Sequence, residues 1–210
     1  MARIGIDADG VLLDYNRAFG HQWHGYFGGE IPKVADKSAY HATRYWGIEA
    51  PNKAHPFWEH FDRLGWRTMP AMAGAVDACN ALAGAGHELI CITSMPAHRA
   101  DVRLANLKML TFPIARVVAT GPASIEGANP KQAAIEKLGL DWMVDDELRK
   151  LKDLSSVKTV LVNPGHSDCP NTGQSKDYLS MEVETLSEFA ERFLAMSMTP
   201  DRVRRSARLA

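Results

Sequence analysis

The chain has 210 residues, is 46% hydrophobic and 23% charged, and carries a formal net charge of −1, which suits one medium globular domain or a domain with an insertion. So balanced a charge gives bulk electrostatics no hold on nucleic acid or an anionic membrane, and no apolar run reaches the length of a membrane span. The three cysteines, Cys79, Cys91 and Cys169, match neither a disulfide framework nor a zinc pattern, and Asp7 and Asp9 interrupt the only apolar run at the N-terminus, so a reducing, cytoplasmic setting without a signal peptide is expected.

Strand character begins at once, over residues 3–7, and ends in GIDADGVLLD (5–14) with two carboxylates one residue apart. Repulsion and desolvation make that costly unless something positive binds there. Residues 14–68 then break the pattern, holding 12 of the 17 aromatics and five of the eight histidines with little strand character. They read as a helical insertion, too short for a conventional separate domain. Most of Phe19, Trp23, Phe27, Phe57, Trp58 and Phe61 are expected to form its small core. The five histidines have no metal-ligand spacing.

From Gly74 helices and strands alternate. Helical spacing over 74–86 stops at Gly84 and Gly86, and HELICIT (87–93) reads as a buried strand. Further helices are read over 97–110, 130–138 and 147–153, strands over 115–120, 141–146 and 157–163, and a closing helix over 185–197. Alternation of this kind predicts an α/β fold, a Rossmann-like parallel sheet with helices on both faces. The expected division is a core of residues 1–13 and 69–198, a cap over 14–68, and a basic, loosely held tail over 199–210.

Open parallel sheets bind ligands at the carboxyl ends of their strands. Those ends carry Asp7 and Asp9, Thr93 and Ser94, and Asp145 and Asp146, with Lys131 just inside a helix start after GANP. Carboxylates one residue apart on an extended segment face one ligand together, and such oxygen-rich sets suit Mg²⁺ with phosphate. A carboxylate can also attack phosphorus, a neighbouring acid can protonate the leaving oxygen, and hydroxyl and ammonium groups can hold the phosphoryl oxygens. Beyond the last strand, Asn163 and Asp168 read as loop residues.

In this order, DADGV (7–11), Thr93, Lys131 and Asp145-Asp146 resemble the four motifs of the haloacid dehalogenase superfamily of phosphatases. The resemblance implies that Asp7 is the nucleophile and Asp9 the general acid/base. It makes Thr93, with Ser94 one residue on, and Lys131 the phosphoryl-binding groups. Mg²⁺ would be held by Asp7, Asp9 through its backbone carbonyl, Asp145 and Asp146. The dehalogenase branch usually lacks the second aspartate, so Asp9 favours phosphate chemistry. ICITSMP (90–96) is further similar to the second motif of the 5'(3')-deoxyribonucleotidases, whose small helical caps use aromatics to enclose a base. This implies a small phosphorylated metabolite as partner, a nucleoside monophosphate being favoured, and no nucleic-acid polymer or membrane. Tyr45 and Trp46 are the candidate specificity residues. A non-catalytic, phosphate-accepting regulatory module and a phosphotransferase are the alternatives; the late acidic pair and the insertion argue against a receiver-type module.

Overall fold

The computed structural model describes residues 1–121 and 129–206, with side chains described through residue 197. Six strands, β1 (Arg3–Ile6), β2 (Glu88–Thr93), β3 (Arg116–Ala119), β4 (Trp142–Asp145), β5 (Lys158–Val162) and β6 (Met181–Val183), form one sheet. The order is β3-β2-β1-β4-β5-β6, and every pairing is parallel. The order reverses direction at β1, where open α/β sheets place their ligands. The first five strands lie where the apolar runs predict them. β6 was not expected: it is three residues long at a sheet edge, with one fully buried position, too short to leave a pattern.

Period-two alternation sorts each strand onto two faces. Ile4, Ile6, Leu89, Cys91, Val144, Val160 and Val162 join one buried cluster with α4 (Ala75–Gly84) and α8 (Leu186–Ser206). Ile90, Ile92, Met143 and Leu161 join another with α6 (Gln132–Leu138) and α7 (Leu148–Leu151). α5 (Ala100–Met109) follows a 3-10 turn over Ala97–Arg99 and contributes Leu107 to the first cluster. At Gly5 a Cβ would stand 2.6 Å from Leu140 Cδ1, so β1 approaches its covering layer more closely than any side chain permits.

Between β1 and α4 lie α1 (Tyr15–Phe27), α2 (Ala42–Trp46), α3 (Phe57–Leu64) and a 3-10 turn, Gly65–Arg67. Asp14 caps α1, its Oδ1 accepting from Arg17 N at 2.9 Å. Phe19, Trp23, Phe57, Trp58 and Phe61 meet ring against ring at 5.1–6.3 Å, and Phe27 stacks on Phe57. The chain leaves and returns side by side: Asp14 N donates to Pro70 O, and Met72 N to Leu12 O.

The backbone of α8 runs helical to Ser206, nine residues past the expected end at 197 and through most of the segment expected to be a loose tail. Residues 207–210 of that tail lie outside the described residues, as do the first two residues of GANP. Among the described residues no helix is long and apolar enough to cross a membrane.

Candidate active site

β1 delivers Asp7 to the carboxyl edge of the sheet, where its amide donates to Val144 O at 2.9 Å. The chain then turns tightly, with Leu12 N and Leu13 N both donating to Ala8 O and Gly10 N to Leu13 O. Gly10 makes this turn at φ +84°, and a Cβ there would lie 2.4 Å from Asp146 Oδ2. Both the backbone and the space beside Asp146 therefore demand glycine.

Asp7, Asp145 and Asp146 each present a carboxylate oxygen within 4.8 Å of the others, and all three are buried. Lys131 is buried with them, its Nζ 2.6 Å from both Asp7 Oδ1 and Asp145 Oδ2. The other Asp145 oxygen accepts from Glu147 N at 3.0 Å. Asp146 Oδ2 accepts from the Tyr40 phenol at 3.1 Å. Asn171 anchors this loop, donating to Asp146 O at 2.7 Å and accepting from Leu148 N at 2.8 Å.

The electrostatics are those of a carboxylate group with too little positive charge. Burial pushes Asp145 up to about 7 against the pull of Lys131, with Asp7 adding to the rise. Burial, then Asp145 and Asp7, lifts Asp146 well above the ordinary aspartate range. For Lys131, burial works against the ammonium, but Asp145 and Asp7 outweigh it and hold the pKa above lysine's usual value. Among the described residues Lys131 alone is ion-paired within this group of three buried carboxylates. A hard divalent cation fits this all-oxygen set and its unbalanced charge.

The Asp9 carboxylate stands apart from that group. Its Oδ1 pairs with Arg103 Nη2 at 2.8 Å. Burial raises its pKa most, the Arg103 charge opposes the rise, and Asp7 adds to it. Thr93, at the end of β2, and Ser94 line a cavity of about 470 Å³ together with Asp7, Asp9, Lys131, Asp145 and Asp146. Ser94 Oγ is buried without a protein partner among the described residues. Trp66, Arg149 and Lys150 also reach this cavity, and burial, then Lys131 and Arg149, holds the Lys150 ammonium below its usual pKa.

A second cavity, of about 340 Å³, adjoins the first across Asp9, Tyr40 and Asp146, and Tyr15, Tyr45, His41 and His166 line it. Tyr45 therefore faces an open space, but Trp46 does not. Trp46 is buried, its ring fills the notch at Gly20, and its Nε1–H donates to Asn16 O at 2.6 Å. The choice of Trp46 as a specificity residue is corrected on that geometry: it welds α2 to α1.

Tyr40 holds the position between the cavities, and nothing in its local sequence singles it out. Asp168, read as a plain loop residue, fixes it by accepting from the amides of Tyr40 and His41. Arg103 had a legible signal. Arg99, Arg103 and Asn106 follow at four and then three residues, one polar face on a helix that needed a buried side.

No family model matches the chain, and no curated protein matches it in sequence. Solved structures do. L-2-haloacid dehalogenase from Xanthobacter autotrophicus superposes with a TM-score of 0.62 at 12% identity, over 93% of this chain and 99% of that one. The same enzyme with chloropropionic acid covalently bound gives 0.61 at 11% identity over the same shares. An HAD phosphatase from Thermococcus onnurineus gives 0.54 at 16% identity, over 92% of this chain and 98% of that one. At such identity the likeness carries the fold and leaves the chemistry to the site's own residues. Six parallel strands with helices on both faces, matched over nearly their whole length, give this chain the haloacid dehalogenase-like α/β fold.

Proposed function

We propose that the protein is a Mg²⁺-dependent phosphatase of small phosphate monoesters, working through an aspartyl-phosphate on Asp7. The observation that carries this reading is Lys131, whose buried ammonium bridges Asp7 and Asp145 at 2.6 Å each beside a hydroxyl, Ser94 Oγ, that has no partner among the described residues. A nucleophile, a cation for the phosphoryl oxygens and free donors thus meet at one rim. Asp7 attacks phosphorus while Thr93, Ser94 and Lys131 hold the phosphoryl oxygens in line. Asp9 gives its proton to the departing oxygen, then takes one from the water that cleaves the acyl phosphate. Asp7, Asp145 and Asp146 would hold Mg²⁺, which when bound supplies positive charge against the phosphoryl oxygens.

In this reading residues 14–68 act as a cap and the remainder as the catalytic core. The tyrosine- and histidine-lined second cavity receives the leaving group, and a nucleoside monophosphate is the substrate we expect. Phosphate release from a panel of phosphorylated metabolites, with Mg²⁺ and with chelator, tests it; no metal-dependent release from any ester overturns it.

The likeness to haloacid dehalogenases favours a second reading, hydrolysis of a carbon–halogen bond at Asp7. Against it stands Asp9: a halide leaves as a weak base without taking a proton, so cleavage of a carbon–halogen bond at Asp7 gives a neighbouring general acid no task. Halide release from 2-haloacids, measured beside phosphate release, decides between them.

A further inference from the structure

Arg103 is a fully buried arginine in the middle of α5, and the phosphatase reading gives it no task. It lines neither of the two cavities described above. Its Nη2 lies 2.8 Å from Asp9 Oδ1, its Nη1 lies 3.5 Å from Met69 Sδ, and the guanidinium sits 5.4 Å over the Trp66 ring. Its Nε has no partner among the described residues. A methionine or leucine would fill this volume without taking a charge out of water, and a buried pair is weak support for a fold.

The surroundings hold the guanidinium still. Asn106, one turn along α5, donates to Met69 O at 3.0 Å. Arg99, one turn back, grips Asp62 at 2.6 and 2.7 Å. Asp62 also accepts from Trp66 Nε1 at 2.9 Å. The segment on which Arg103 rests is thereby tied to α5 at both ends.

We infer that Arg103 is a positioning residue for Asp9, an inference that rests on Asp9 being the general acid/base. Arg103 occupies Oδ1 and so leaves Oδ2, which has no protein hydrogen bond among the described residues, as the oxygen open to the cavity. In the first step a carboxylate oxygen of Asp7 bonds to phosphorus as the bond from phosphorus to the ester oxygen breaks. The proton on Asp9 Oδ2 passes to that oxygen. An alcohol departs, and Asp9 is left as a carboxylate paired with Arg103.

Leaving-group dependence tests this. An alkyl phosphate needs its departing oxygen protonated, whereas p-nitrophenolate leaves without help. Arg103→Met is expected to lower kcat/KM for an alkyl phosphate by roughly a hundredfold, the low end for loss of acid catalysis. For p-nitrophenyl phosphate the fall is expected to stay within about fivefold, because little proton transfer is required there. Arg103→Lys, which keeps the charge, is expected to recover part of the alkyl-ester rate. Circular dichroism and Tm verify folding, and if Arg103→Met does not fold, Arg103→Lys carries the same two-ester comparison. Equal losses on both esters, or no loss on either, overturn the inference. Asp9→Asn is the control: full activity of that variant on both esters overturns the role of Asp9 itself, whereas its loss beside equal losses in the Arg103 variants overturns the positioning alone.

Discussion

Gly10 shows how little room the site allows. Its positive φ forbids a side chain, and so does Asp146 Oδ2, which would stand 2.4 Å from any Cβ there. Gly10→Ala is expected to cost about 1–3 kcal/mol from the strained backbone and to displace Asp146; urea denaturation with and without Mg²⁺ measures both effects. Asp7→Asn is the opposite case. It keeps the volume, removes one charge from a crowded carboxylate group, and removes the proposed nucleophile. Thermal stability is expected to be equal or higher and phosphatase activity to fall to background; activity within a fewfold of the original chain would exclude Asp7 as nucleophile. Trp46 is an aromatic in the segment where a specificity residue is expected. Its ring instead fills a notch that only Gly20 can leave open. Trp46→Ala is therefore expected to cost about 3–5 kcal/mol, as large-to-small changes in a core do, and urea denaturation measures it.

At the scale of elements, the loops decide what the strands present. Residues 36–41 have little regular structure, yet Ser167 N donates to Ser38 O and Asp168 takes the amides of Tyr40 and His41. These contacts, between residues far apart in sequence, place the Tyr40 phenol on Asp146. Removing the Asp168 carboxylate leaves two amides without their partner, so Asp168→Ala is expected to cost about 1–3 kcal/mol, readable as a lowered urea midpoint. It is also expected to free Tyr40 from Asp146, which tyrosine absorbance reports. Such a pairing leaves no local signature, so in sequence Asp168 is one loop residue among others. The strands were legible because alternation and apolar runs are local; β6 was not, because three residues at an edge carry no period. The full length of α8 was hidden for a related reason: its polar C-terminal half has no apolar stripe to mark it as helical.

At the scale of the molecule, the proposed metal site makes the carboxylate group a determinant of stability. A cation that binds the folded chain and not the unfolded one raises Tm with concentration. Mg²⁺ is expected to do so, and Asp145→Ala or Asp146→Ala to weaken the response; an unchanged response in both variants would remove them from the metal site. Tyr45→Ala is expected to raise KM for the preferred ester roughly tenfold, within the range of one aromatic stacking contact, and to change p-nitrophenyl phosphate hydrolysis much less. Equal changes on both would assign Tyr45 to the framework. The parallel sheet and the four groups at its carboxyl rim were readable from the chain alone. Strand ends are set by local pattern, and an open parallel sheet has only one edge where ligands gather. Their order along the chain, from Asp7 through Thr93 and Lys131 to Asp145 and Asp146, needed no coordinates. Which oxygen Lys131 holds, that Asp9 is paired with Arg103, that Tyr40 divides two cavities and that Trp46 faces none were settled only by folding. Each depends on contacts between residues far apart in sequence, and such contacts leave no period in the chain because packing, not local propensity, selects them.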